Sequence, residues 1–225
     1  MPNSSRRPAW DTRTLVTISM LTAVAYVVMY LCKMLPSVMG FLDFDFKDVV
    51  ICIGGFTFGP TAAAIISILV AFIEFITVSA TGIIGLIMNI LATTSFCCTA
   101  CYIYKKHHTM KGAVIGLGAG VVVLVCVMLL WNYLIMPLYS PGITRADILA
   151  LMPTVLLPFN LAKGGMNMAA TLLLYKPVVT ALRRARLVPP SSGNQSRKTS
   201  TGFILFSLAL LATFVMIALV LLDIL

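Results

Sequence analysis

Apolar residues run through this chain in long continuous blocks, broken by short polar stretches rather than alternating with polar positions. Residues 14–35 form the first block, which stops at Pro36. A loop over 36–48 mixes Asp43, Asp45, Lys47 and Asp48 with Phe41, Leu42, Phe44 and Phe46. The second block, 49–59, is short and reads as a partial span that leans on its neighbours. Gly59-Pro60 is a turn signal, and Pro60 suits the first turn of the next helix. The third block runs to residue 80, and Thr81-Gly82 breaks it from the fourth, which reaches 104 and ends in Lys105, Lys106, His107 and His108. A fifth block covers 112–136 and stops at Pro137. Residues 138–157 contain Pro141, Gly142, Arg145, Asp147 and Pro153, which predicts an external loop with a short helix. The sixth block starts at Pro158 and reaches 182, with Arg183, Arg184 and Arg186 behind it. A polar linker over 187–201 leads to a seventh block, 202–225.

Blocks of this length cross a bilayer, which takes about 20 residues per helix. Composition agrees: 60% of the 225 residues are hydrophobic and 10% are charged. A water-soluble domain of this size does not cover its surface with so little charge. The expected fold is an all-α membrane protein: a core of six helices over 14–186, preceded by a cytoplasmic N-terminus, 1–13, and followed by the linker and one additional transmembrane helix. Continuous apolar runs argue against a β-barrel. Arg6 and Arg7 precede the first block as in a signal peptide, but the block continues past Tyr30 without a small-residue cleavage pattern and is read as a retained helix.

The net charge of +9 reflects topology rather than nucleic-acid binding. Threading seven spans from an inside N-terminus puts Arg6, Arg7, Arg13, Lys105, Lys106, Lys111, Lys176, Arg183, Arg184, Arg186, Arg197 and Lys198 inside, twelve of the 16 basic residues. Lys33, Lys47, Arg145 and Lys163 fall outside or at outer ends, with Asp43, Asp45, Asp48, Asp147 and Asp223. The expected orientation is N-terminus in, C-terminus out.

That orientation gathers polar side chains at one depth. Asn89 lies seven residues into the fourth block, roughly 10 Å at about 1.5 Å per residue. Asn132 lies five residues before Pro137, Asn160 and Lys163 in the first turns of the sixth block, and Glu74 six residues from the outer end of the third. A charge within a span costs about 2.5–3.5 kcal/mol on insertion scales. A lone Asn is often glue between helices, whereas convergence at one depth points to a pocket open to the outside. Asn160, Lys163 and Asn167 form a stripe on one helix face. Lys163 near a helix N-terminus is disfavoured by the dipole, so it needs a counter-group, either Glu74 or a ligand rich in carbonyl acceptors.

Catalytic signals are missing from the sequence. There is no GxxxxGK[ST] loop, no HExxH, no GxSxG and no paired-carboxylate constellation, so the chain is read as a non-enzyme. Cys32, Cys52, Cys97, Cys98, Cys101 and Cys126 lie in or at the ends of apolar blocks, without His in the same segment, and are read as packing residues with no metal site.

Several of these stretches resemble one family. Residues 41–48 leading into Ile53-Gly54-Gly55-Phe56-Thr57-Phe58-Gly59-Pro60 resemble the first loop and second helix of riboflavin-specific S components of energy-coupling-factor vitamin importers. Thr81-Gly82-Ile83-Ile84-Gly85-Leu86-Ile87-Met88-Asn89 is similar to their fourth-helix motif, and Asn132-Tyr133 with Pro137 and Tyr139 to the end of their fifth helix. Leu157-Pro158-Phe159-Asn160-Leu161-Ala162-Lys163 is similar to their sixth-helix signature.

The resemblance covers about residues 15–186. It implies a bacterial cell-membrane protein whose six-helix bundle captures riboflavin from outside and works with a T component and two ATPases. It also implies a substrate site of Leu42, Phe44, Asp45, Phe46, Asn89, Asn132, Asn160 and Lys163, with riboflavin as substrate and no cofactor. Asn amides both donate and accept hydrogen bonds and Lys only donates, which suits a ring with carbonyls and one N–H. Aromatic loop residues suit a flat ring. Two departures stand out. Lys47 occupies a position where the family often has Ser. Ser19 and Ala23 stand for the family's Ala-x-x-x-Ala contact with the T component, still small-xxx-small. The residues alone leave open another vitamin or flavin such as thiamine or flavin mononucleotide, a membrane assembly protein, a lipid-headgroup enzyme, and ion-coupled transport through Glu74 and Lys163. No inverted repeat favours the last.

Overall fold

Each apolar block becomes a helix, and the caps are local. The computed structural model describes residues 11–38, 42–79, 82–140, 142–188 and 201–222. Arg6, Arg7, Phe41, Thr81, Pro141, linker residues 189–200 with Arg197 and Lys198, and Asp223 lie outside the described residues. Helix α1 (Thr12–Cys32) starts at Asp11, whose carboxylate accepts a hydrogen bond from the Thr14 N–H. Helix α2 (Lys47–Phe58) leads through Gly59 into α3 (Pro60–Thr77). Gly59 has φ of 100°, a backbone state that a side chain would strain, and Pro60 then opens α3 without wasting an N–H. Helices α4 (Gly82–Lys106) and α5 (Met110–Tyr139) follow, α5 capped by the Thr109 hydroxyl. Thr144 and Asp147 form a reciprocal capping box at the start of α6 (Arg145–Leu151). A π-helical turn over Met152–Leu156 joins it to α7 (Leu157–Arg184), and α8 (Thr201–Leu221) comes last.

Among the described residues, six helical stretches are long and apolar enough to cross a membrane: α1, α3, α4, α5, the continuous α6–α7 and α8. The 12-residue α2 is not one of them. At about 1.5 Å per residue it rises roughly 18 Å, short of the roughly 30 Å hydrocarbon core. It is instead the centre of the bundle, in contact with α1, α3, α4 and α7. Val49, Ile51, Cys52, Ile53 and Phe56 are all buried along it.

Two boundaries expected at prolines lie elsewhere. Helix α5 passes through Pro137 and ends at Tyr139. The sixth span does not begin at Pro158, because α6, the π turn and α7 form one run from Arg145 to Arg184. In that turn the Leu157 N–H reaches back five residues to the Met152 carbonyl. The wider turn lets the helix pass residues that lack an N–H without breaking. Lys163 therefore sits inside a long helix and not at an exposed N-terminus, and the dipole argument against a cation there falls away.

The last helix packs on α7. The Phe214 ring occupies the space that a Cβ on Gly165 would fill, so the glycine acts as its seat. Leu205, Phe206 and Met216 on other faces of α8 are exposed apolar residues, as lipid contact requires.

Candidate functional site

The described residues line a partly open cavity of about 110 Å³ where the loop before α2 meets α3, α4, α5 and α7. Its apolar wall comes from Leu86, Met88, Leu124, Met128 and Phe159. Its polar wall carries Lys33, Asp43, Asp45, Lys47, Glu74, Asn89, Asn160 and Lys163. Of the residues expected from the sequence, Leu42, Asp45, Asn89, Asn160 and Lys163 are brought together here. Phe44, Phe46 and Asn132 are not among the lining residues.

Each of those three has a packing explanation. Phe44 is buried against Phe159, with ring centroids 4.7 Å apart, so it props the cavity wall from behind. Phe46 packs into two apolar clusters, among them the one holding Val49 and Val179. Asn132 is fully buried and its amide donates to the Met128 carbonyl at 2.7 Å. Its Oδ1 is buried without a partner, one turn along the same helix face from the wall residue Met128.

The loop is held to α7 by charge. Lys163 Nζ donates to Asp45 Oδ2 at 2.8 Å and to the Asp43 carbonyl at 3.1 Å. Its counter-ion is therefore Asp45 and not Glu74. Asn167, one turn further along α7, donates from Nδ2 to the Asp45 carbonyl at 2.9 Å and to the Lys163 carbonyl at 3.0 Å. The stripe of Asn160, Lys163 and Asn167 thus does two jobs: Asn160 faces the cavity and Asn167 clamps the loop. Burial raises the Asp45 carboxyl, but Lys163 and then Lys47 outweigh it and hold the group at about 2. A second backbone fix lies just before, where Val38 and Leu42 exchange hydrogen bonds of 3.0 Å in each direction.

A second ionic cluster stands opposite. Lys47, 2% exposed, donates to Glu74 Oε2 at 2.9 Å and to Asn89 Oδ1 at 2.6 Å, and lies 3.8 Å from Asp45 Oδ2. Asn89 Nδ2 donates in turn to Glu74 Oε2. Lys33, just past the end of α1, bridges Asp43 Oδ2 at 3.1 Å and Glu74 Oε1 at 3.2 Å. Lys33, Asp43 and Lys47 were not expected as site residues. The signal for them was a set of opposite charges bracketing an apolar span, which in lipid have to find each other.

Asn160 donates its amide to the Leu156 carbonyl at 2.7 Å. Among strong hydrogen-bonding groups, acceptance at Oδ1 is then what it offers a ligand most readily. Ser19 and Ala23 lie on the exposed face of α1, turned away from the bundle.

A polytopic helical membrane protein with a part-polar, part-apolar cavity at one end has the form of a solute-binding subunit. The comparisons name the family. Residues 13–175 match the model of the ECF transporter substrate-specific component, and the chain belongs to that family. It is 32% identical over 177 residues to the riboflavin transporter RibU of Staphylococcus aureus (strain TCH60), covering 76% of this chain and 93% of that protein. It is 30% identical over 160 residues to the riboflavin transporter FmnP of Bacillus subtilis (strain 168), covering 68% and 84%. A solved structure described as "Structure and mechanism of the S component of a bacterial ECF transporter" superimposes with a TM-score of 0.64 at 32% identity, over 76% of this chain and 98% of that one. Helix α8 lies beyond the residues that the family model matches.

Proposed function

We propose that this chain captures riboflavin from the outer face of a bacterial cell membrane and delivers it inward together with a T component and two ATPases. The observation that carries the reading is the cavity itself. Asn89, Asn160 and Lys163 line it together with the apolar Leu86, Met88, Leu124, Met128 and Phe159, and similar proteins are named riboflavin transporters. The lining cations Lys33, Lys47 and Lys163 are matched by Asp43, Asp45 and Glu74, which suits an uncharged ligand. Asn160 Oδ1 accepts the ring N–H, and Lys163, whose side chain is 15% exposed, has a third N–H for a ring carbonyl.

Residues 14–186 form the binding domain, 187–201 the tether and 202–225 an added span. Helix α1 meets the T component through Ser19 and Ala23, where small side chains allow close approach. The loop end faces outside because Lys105, Lys106, Lys111, Arg183 and Arg184 cluster at the opposite end. With single cysteines in a Cys-free background, an impermeant thiol reagent added from outside labels position 142 and spares position 109. The reverse pattern sinks the orientation. Purified protein carries flavin absorption bands in the visible, or gains them one-to-one on riboflavin addition. A preparation that takes up no riboflavin rejects the substrate assignment.

A further inference from the structure

Asn89 is the cavity residue whose chemistry is most tightly fixed by its neighbours. Its amide has two ends, and each faces a group that tolerates only one of them. The Lys47 ammonium donates and cannot accept, so it must meet Oδ1. The Glu74 carboxylate accepts and, when ionised, cannot donate, so it must meet Nδ2. The buried Lys47–Glu74 pair, 2.9 Å long, thus leaves one orientation of the Asn89 amide. In that orientation the carbonyl end is engaged by Lys47, and Nδ2 keeps a second N–H to donate to a ligand.

A buried ion pair is a poor source of stability, since desolvation offsets most of the attraction. Lys47 and Glu74 come from the start of α2 and from α3, and both line the cavity. Asn160 on α7 is set the other way by Leu156, with Oδ1 available. Asn89 thus offers a donor from α4, and Asn160, which also keeps a second N–H, offers an acceptor from α7.

We infer that Lys47 is a positioning residue for substrate selection: with Glu74 it locks Asn89 as a donor to a ligand carbonyl, while Asn160 accepts from a ligand N–H. The ligand class this pattern reads is a planar imide edge, with an N–H flanked by carbonyls. This rests on the riboflavin reading above and assigns that edge of the ring to this wall.

The test is a double-mutant cycle on riboflavin affinity, read by quenching of flavin fluorescence, with Lys47→Met, Asn89→Ala and the pair. Each single change weakens binding at least tenfold. If Lys47 acts through Asn89, the double variant binds no worse than Asn89→Ala alone, and the visible bands of bound flavin shift equally in all three variants. Lys47→Met with Glu74→Gln keeps the charges balanced, and serves as the first arm should Lys47→Met alone prove unstable in thermal melts. Additive losses, or a Lys47 variant with wild-type affinity and spectrum, overturn the inference while leaving riboflavin as substrate. Wild-type protein that binds no riboflavin overturns the substrate reading and this inference with it.

Discussion

The two ends of this bundle use the same helices for opposite purposes. At the loop end, α2, α3, α4 and α7 contribute Lys47, Glu74, Asn89, Asn160 and Lys163 around a cavity. At the basic end α2, α4 and α7 meet through aromatic rings. Phe56 of α2 lies 4.4 Å from Tyr104 of α4 and 5.4 Å from Tyr175 of α7, centroid to centroid, and the two tyrosine hydroxyls are 2.8 Å apart. Between the ends, Cys52 and Cys97 touch, Sγ to Sγ, at 3.4 Å. A Cβ on Gly55 would collide with Cys101 Sγ and stand 2.8 Å from Ala63 Cβ. The contrast teaches a division of labour. A close-packed apolar half needs no charges and fixes the helix positions. The open half can then carry buried ions, each costly in lipid, because their geometry is imposed from below.

If that division holds, damage at the two ends has different signatures. The largest effect is expected from Lys163→Met, which leaves Asp45 buried without its main counter-ion. Removing one partner of such a pair costs about 3–5 kcal/mol, read as a lower melting temperature in detergent together with lost riboflavin binding. Adding Asp45→Asn restores the melting temperature but not the binding. Recovery of both would take Lys163 out of the site. The Asp45 carboxyl, held at about 2, stays charged through the physiological range. Stability from this group is present above the ordinary carboxylate value near 3.8 and lost only as pH falls through the lower one, so any change in stability or affinity between pH 5 and pH 7 comes from a group other than Asp45.

Gly55→Ala is the counterpart at the packed end. Overpacking of this kind costs roughly 1–3 kcal/mol. The expected result is a lower melting temperature with riboflavin affinity nearly unchanged in the protein that remains folded. A selective loss of affinity at unchanged melting temperature would mean that the two ends are not separable.

The smallest effect is expected from α8. It rests on α7 through Phe214 at Gly165, next to but outside the cavity lining. Truncation after Ser200 is expected to keep affinity within tenfold of the intact chain, a change below about 1.4 kcal/mol. A larger loss would make α8 a brace for the α7 stripe.

Much of this was legible in the sequence because lipid simplifies the code. Long apolar runs became helices, and the short second block became the partial span it looked like. Of the polar residues inside spans, Asn89, Asn160 and Lys163 line the cavity and Asn132 does not, so their depth marked its place but not its exact lining. Pairings were not legible. Nothing in the spacing distinguishes Asp45 from Glu74 as the partner of Lys163, because the choice depends on how the loop folds back over α7. Side-chain direction in the loop was equally hidden: Asp43 and Asp45 turn to the cavity while Phe44 turns away. The boundary expected at Pro158 misled for a local reason. A π turn can carry a helix past Pro153 and Pro158, and residue types alone do not announce it.

The most direct test of the account is a riboflavin titration of purified wild-type protein beside Asn160→Ala, followed by fluorescence quenching. Asn160 faces the cavity, and its amide's bond to the protein goes to the Leu156 carbonyl of the preceding turn, so the variant is expected to stay folded. Loss of one hydrogen bond to a buried ligand group costs about 1–3 kcal/mol, or roughly 5- to 150-fold in affinity. Tight one-to-one binding by the wild type and a loss of that size in a monodisperse variant is the expected result. Equal affinity in both proteins would contradict the placement of riboflavin in this cavity.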